Sequence, residues 1–97
     1  MITTKQRSLL NGMAQKIQST VYVGKNGIAD SVLADANLQL EAKELVKATI
    51  LKNSLLEAKD IANDLAAELR ADVVSAMGNK IVLYRKSHKK GIKHIEI

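Results

Sequence analysis

The chain has 97 residues, enough for one domain with one modest hydrophobic core. Its composition, 46% hydrophobic and 26% charged, is typical of a globular protein, and the absence of cysteine excludes disulfides and thiolate chemistry. No apolar run approaches the roughly 20 residues of a membrane span. No apolar signal core follows the N-terminus, so we expect a cytoplasmic protein without a membrane partner.

Charge is distributed unevenly along the chain, whose formal net charge is +5. Residues 1–25 contain four basic and no acidic residues, residues 26–78 are net acidic, and residues 79–97 contain six basic residues and one acid. If the fold brings the two ends together, they form one positive face of the kind that binds a polyanion. A solvated basic tail on an ordinary soluble surface is the alternative interpretation.

The N-terminal half predicts a helix, a strand and a second helix. Thr4 can cap the first helix. The apolar residues of this helix fall on roughly one face: Leu9, Leu10, Met13 and Ile17. The β-branched and aromatic run 20–23 predicts a short strand that stops at the loop 24–27. Apolar residues then recur at helical spacing from Ile28 to Leu40, which predicts the second helix.

The C-terminal half predicts a strand, a helix and a hairpin. Residues 44–50 fit the second strand, and an amphipathic pattern predicts a third helix over 58–69. Residues 72–77 and 80–84 predict two strands joined by Gly78-Asn79, a pair that tolerates positive φ. The order α-β-α-β-α-β-β fits an α/β two-layer sandwich with a four-stranded mixed sheet and three helices. We therefore predict a single domain over residues 1–85 and a mobile basic C-terminal tail over 86–97.

The loop Gly24-Lys25-Asn26-Gly27 between a strand and a helix is the best candidate for binding chemistry. Glycine tolerates positive φ and lets another backbone approach closely. Unpaired amides at the start of a helix carry the positive end of its dipole and suit a phosphate group. Lys25 adds a charge and Asn26 a donor. Two glycines at this spacing also occur in ordinary strand-to-helix turns, and Asp30 could cap the helix instead.

Several sequence blocks resemble those of a CRM domain and occur in the same order as in that family. The CRM domain is the chloroplast RNA splicing and ribosome maturation module, and the resemblance is to its stand-alone bacterial YhbY-like form. The blocks are Leu9 with Ala14 and Ile17, the run 21–28, the run 44–47, and Gly78 with the run 81–85. The family often has proline where this chain has Gln18-Ser19, and a glycine pair where it has Arg70-Ala71-Asp72. These departures affect turns rather than the loop.

The resemblance implies a fold similar to the C-terminal domain of a translation initiation factor, and RNA binding with the Gly-x-x-Gly loop at the RNA surface. For stand-alone bacterial members it implies association with precursors of the large ribosomal subunit. We therefore expect a monomer that binds structured RNA, most simply large-subunit rRNA. The expected site is the loop with the nearby basic residues: Gly24, Lys25, Asn26, Gly27, Lys5, Arg7, Lys16, Arg85 and Lys86.

Other features predict little chemistry. Tyr22 and Tyr84 are the only aromatic residues, and we expect them in the core or at its rim. His88 and His94 lack the cysteines or carboxylate cluster of a metal site. No nucleophile-and-base pattern indicates an enzyme, and no cofactor is expected. Two alternatives stay open: a protein-interaction adaptor, and a DNA-binding protein of a related small α/β fold.

Overall fold

The computed structural model describes residues 2–24, 27–51, 57–88, 91 and 94–95. Its helices and strands follow one another as α1 (Thr4–Ala14), β1 (Val21–Val23), α2 (Asp30–Lys43), β2 (Leu45–Ile50), α3 (Ala58–Leu69), β3 (Asp72–Met77) and β4 (Lys80–Tyr84). The predicted α/β class and element order are confirmed. No helix in the described ranges is long and apolar enough to cross a membrane.

The strands form one mixed sheet in the order β1-β2-β4-β3. β1 runs parallel to β2, with Val23 opposite Ile50, and β4 runs antiparallel to β2, with Tyr84 opposite Leu45. The ends of β1 and β2 and the β3–β4 turn therefore lie at one end of the sheet, which we call the loop end. β4 finishes at the opposite end, about 17 Å away along β2 at about 3.3 Å per residue.

The helices lie on both faces of this sheet. α2 and α3 pack on one face, against a core that includes Ile81 and Leu83 of β4. α1 packs on the other face, where Leu10 meets Val82 and Tyr84. Neighbouring residues of a strand point to opposite faces, so β4 contributes to both cores. The four-stranded mixed sheet with three helices is confirmed, and α1 adds a third layer to the predicted two-layer arrangement.

The third helix spans the predicted residues. Ile61, Leu65 and Leu69 are buried against the sheet, as its amphipathic pattern predicts. The helix ends at Arg70, which adopts a left-handed conformation with φ of 55°. This turn sends the chain directly into β3, so α3 returns from the loop end to the opposite end of the sheet.

The first helix begins one residue earlier than predicted. Thr3, rather than Thr4, is the N-cap. The backbone N–H of Gln6 donates to the Thr3 hydroxyl at 3.1 Å, and the backbone N–H of Thr3 donates to the Gln6 side chain at 2.9 Å. This reciprocal pair is a capping box, which satisfies two amides at the helix start.

The predicted apolar face of the first helix is confirmed for Leu10 and wrong for the other three residues. Leu10 and Ala14 are the buried residues of α1, whereas Leu9 and Met13 are exposed by 50% and 41%. Ile17 lies beyond the helix and is also exposed. The reason is that α1 rests on the sheet without a neighbouring helix beside it, so only a narrow line of side chains is covered.

The buried carboxylate of Glu44 holds the C-terminal segment against the domain. Glu44 was expected to begin the second strand, but it is the left-handed C-cap of α2, with φ of 66°. Its carboxylate accepts hydrogen bonds from the N–H groups of Ser87 and Ile95, each at 2.6 Å, and from Nδ1 of His94. Burial raises the pKa of Glu44, but these hydrogen bonds lower it by more. At Ser87, His94 and Ile95, these hydrogen bonds contradict the expectation of a mobile tail.

Candidate nucleic-acid interface

The glycine loop closes a tight turn at the loop end. The N–H of Gly27 donates to the carbonyl of Gly24 at 3.0 Å, and Gly27 has φ of +68°, which favours glycine. On the other side, the N–H of Leu51 donates to the carbonyl of Val23 at 2.9 Å and places the connection after β2 next to the loop. Lys25 and Asn26, the predicted tip of the site, lie outside the described residues.

Two helices begin at the loop end without side-chain caps. α2 starts at Asp30, a short turn after Gly27, and its N-cap Ala29 has no side-chain hydrogen bond. Asp30 is the first helical residue and does not act as the cap. α3 starts at the same end, and its N-cap Glu57 makes no side-chain capping bond either. The positive ends of both helix dipoles therefore point to the loop end, although Asp30 and Asp60 in the first turns offset them.

Two lysines lie on the α1 face of the sheet, Lys47 midway along β2 and Lys80 at the loop end. Nζ of Lys47 donates to the carbonyls of Ala14 and Ile17, at 3.3 and 3.4 Å, where α1 ends. Nζ of Lys80 donates to the hydroxyl of Thr49 at 2.9 Å. Within the described ranges, neither lysine forms an ion pair with a carboxylate. No carboxylate of the described residues therefore neutralises them, and Lys47 instead lies at the negative end of the α1 dipole.

The sequence-based site prediction missed both lysines. Lys47 and Lys80 lie in β2 and β4, segments that the sequence predicted as strands without assigning any of their residues to the site. The alternation of polar and apolar residues along β2 indicated that Lys47 lies outside the main core. Lys47 and Thr49 share one face of β2, while Val46 and Ala48 share the other.

Acidic and basic residues separate between the two faces. α1 contains Lys5 and Arg7 and no acidic residue. α2 and α3 each contain three acidic residues and one lysine. The α1 face is therefore the positive face of the domain, and the opposite face is acidic.

The predicted gathering of the basic residues around the loop is wrong. Lys16 is exposed just beyond the end of α1, near Lys47. Lys5 and Arg7 are exposed in the first turns of α1. The start of α1 and Lys86 line a common cleft at the end of the sheet where β4 finishes. These residues share the positive face, but the length of the sheet separates Lys86 from the loop.

Arg85 is engaged inside the protein. Its guanidinium donates to the carbonyl of Leu69 at 2.8 Å and to the carboxylate of Glu41 at 3.0 Å. The side chain is only 15% exposed and lies on the side of α2 and α3. Arg85 therefore fastens the end of β4 to both helices, and its geometry does not support the predicted contact with RNA.

The two tyrosines differ in environment. Tyr84 is buried under α1, and burial raises its pKa, with further contributions from Glu44 and Asp72. Tyr22 is 55% exposed, and its hydroxyl donates to the carbonyl of Ser19 at 3.1 Å. The expectation that both tyrosines are core or rim residues is therefore wrong for Tyr22.

The histidines of the C-terminal segment belong to a polar cleft far from the loop. His88 and His94 line it together with Asp72 and Arg70. In the described part of the chain, no three histidine, cysteine or acidic residues are grouped as metal ligands. The hydrogen bond of His94 to Glu44 gives this histidine a structural partner.

A small α/β domain with a positive face and a glycine loop at one end of the sheet has the features of a module that binds a polyanion. The chain belongs to the CRS1 / YhbY (CRM) domain family, whose model matches residues 2–85. The resemblance deduced from the sequence is thereby confirmed.

Relatives cover nearly the whole chain. The probable RNA-binding protein YqeI of Bacillus subtilis (strain 168) is 35% identical over 97 residues, which are 100% of this chain and 99% of the relative. An RNA-binding protein of Haemophilus influenzae is 32% identical over 91% of this chain and 89% of its own length. The solution structure of the hypothetical protein SAV1595 from Staphylococcus aureus, itself proposed to bind RNA, matches with a TM-score of 0.79 at 31% identity. That match covers 98% of this chain and 100% of the other.

Proposed function

We propose that this protein is a non-catalytic RNA-binding protein that contacts RNA with the loop end of its positive face. The proposed RNA is large-subunit rRNA during ribosome assembly in the cytoplasm, and the protein acts there as a monomer. Phosphates of the RNA meet the Gly24–Gly27 loop, and Lys16, Lys47 and Lys80 extend the contact across the α1 face of the sheet.

The observation that carries this proposal is a pair of lysines on the α1 face that have no carboxylate partner among the described residues. Lys47 and Lys80 are held in place by hydrogen bonds to uncharged oxygens, so their positive charge stays available to an anion. Ordered cations of this kind lose little conformational entropy when they bind a phosphate. The acidic residues of α2 and α3 lie on the other face, where they would repel RNA and so fix its side of approach.

The family and the relatives support RNA over DNA as the partner. The matched relatives are named as RNA-binding proteins. A turn bracketed by glycines allows a nucleic-acid backbone to come close, as it does in KH modules. The choice of large-subunit rRNA rests on the family resemblance.

The test is a crosslinking and sequencing map of RNA bound to the full chain in cells. Enrichment of large-subunit rRNA, clustered at a few positions, is the expected result. Crosslinks spread evenly over messenger and transfer RNA would contradict the ribosomal assignment. Absence of crosslinked RNA, with a protein partner recovered instead, would favour the adaptor alternative.

A further inference from the structure

A row of side chains crosses the sheet at the loop end, next to the end of α1. Register places Tyr22 of β1 opposite Thr49, Thr49 opposite Lys80, and Lys80 opposite Met77. These four residues share the face on which α1 lies, and we call them the open sheet patch. Lys47 lies one row further from the loop end, beside the last residues of α1. The end of α1 borders the patch, because Asn11, Ala14 and Gln15 line a cleft together with Met77 and Lys80.

Two large apolar side chains of the patch face solvent. Tyr22 is 55% exposed and Met77 is 74% exposed, whereas Thr49 between them is 8% exposed and accepts the hydrogen bond of Lys80. The hydroxyl of Tyr22 is tethered to Ser19, so the ring is oriented before any partner arrives. An oriented aromatic ring costs little entropy to use as a contact surface.

We propose that the open sheet patch binds unpaired bases of the RNA, with the ring of Tyr22 as a stacking platform. This inference rests on the proposed function and specifies which part of the RNA the patch binds: a single-stranded segment next to the phosphate held by the loop. Sequence-tolerant recognition of single strands combines a basic surface with aromatic rings, and stacking requires only one open ring per base.

The charge of the patch favours RNA over a protein partner. Lys80 lies within it and Lys47 borders it, and none of the four patch residues is acidic. An apolar protein partner would have to bury these lysines without carboxylates of this chain to pair them, which is costly. A single strand instead brings phosphates for the lysines and a base for the ring.

Spacing along β1 fits a strand that continues from the loop. Tyr22 precedes Gly24 by two residues, about 7 Å at about 3.3 Å per residue. A strand of RNA whose phosphate meets the loop can therefore extend along β1 and bring one of its neighbouring bases to the ring of Tyr22. Paired RNA keeps its bases stacked inside the helix and cannot offer them to this ring.

The experiment compares a short oligouridylate with a fully paired RNA duplex of the same length. The full-length variants are Tyr22→Leu, which removes the ring, and Tyr22→Phe, which keeps it. We expect Tyr22→Leu to lower oligouridylate affinity by roughly 5- to 100-fold, the range for loss of one base–aromatic stack, and to leave duplex affinity nearly unchanged. Tyr22→Phe should stay within about threefold of the wild type, because the tether contributes less than the ring.

A second readout reports stacking directly. The chain contains no tryptophan, so Tyr22→Trp introduces a single indole at the patch. Its fluorescence should be quenched by oligouridylate and not by the duplex. A Tyr22→Leu variant that folds normally and binds oligouridylate like the wild type would overturn the proposal, as would an equal loss of affinity for both RNAs. If the wild type binds neither RNA, the proposed function fails and the patch assignment with it.

Discussion

Replacement of Glu44 by glutamine should destabilise the domain by about 2–4 kcal/mol at neutral pH. The carboxylate accepts N–H groups on both oxygens, from Ser87 on one and Ile95 on the other. Glutamine has one acceptor oxygen, so its amide nitrogen must face one of these donors. The loss of one charge-assisted bond and an unsatisfied buried donor together account for the magnitude. His94 is half exposed, so its share is reduced by solvent screening.

The assay is a urea melt of Glu44→Gln beside Glu68→Gln, an exposed position on α3. The folded-state pKa of Glu44 lies below the ordinary value of about 4.3, so its stabilisation is complete above that value. It is lost as the pH falls through the lower folded pKa. The difference between wild type and Glu44→Gln should therefore shrink in acid. A difference below about 0.5 kcal/mol at pH 7 would refute the anchoring role of this carboxylate.

Three further predictions concern the core, the loop and the charge. Leu65→Ala should cost about 2–5 kcal/mol in a urea melt, because Leu65 is 1% exposed, and a cost under about 0.5 kcal/mol would contradict its burial. Gly27→Ala should lower the free energy of unfolding by about 1–2 kcal/mol, because φ of Gly27 is +68°. Gly12→Ala in α1, where open space surrounds the glycine, should stabilise the domain. Equal effects of the two substitutions would contradict the turn geometry. The slope of log affinity for RNA against log salt should be near −3 to −5 for about four to six phosphates, and a slope shallower than about −1 would indicate a different kind of partner.

The fold could be predicted from the sequence wherever one helix or strand buries a wide apolar surface. α3 shows this, because its buried residues recur at helical spacing over three turns. α1 shows the limit. Its apolar residues predict a helix, but the identity of its covered side depends on which face of the sheet it crosses. Periodicity along the chain does not contain that information.

The turn of the glycine loop could be predicted from the sequence, whereas the residues around the loop could not. Gly27 adopts a positive φ, which favours glycine, so the turn could be identified from the sequence by a local conformational requirement. Arg85 was misassigned because its partner Glu41 is distant in sequence and adjacent only in the fold. The docking of His94 on Glu44 depends on a contact of the same long-range kind.

The measurement that tests the central claim most directly is RNA affinity, at fixed salt, of the double variant Lys25→Asp with Asn26→Asp. Two carboxylates at the loop would face the phosphate that the loop is proposed to hold, so affinity should fall by at least about tenfold with an unchanged thermal melt. Lys93→Asp, in the C-terminal tail, is the control and should have the smaller effect. Wild-type affinity in the double variant, with a normal melt, would show that the loop does not contact RNA.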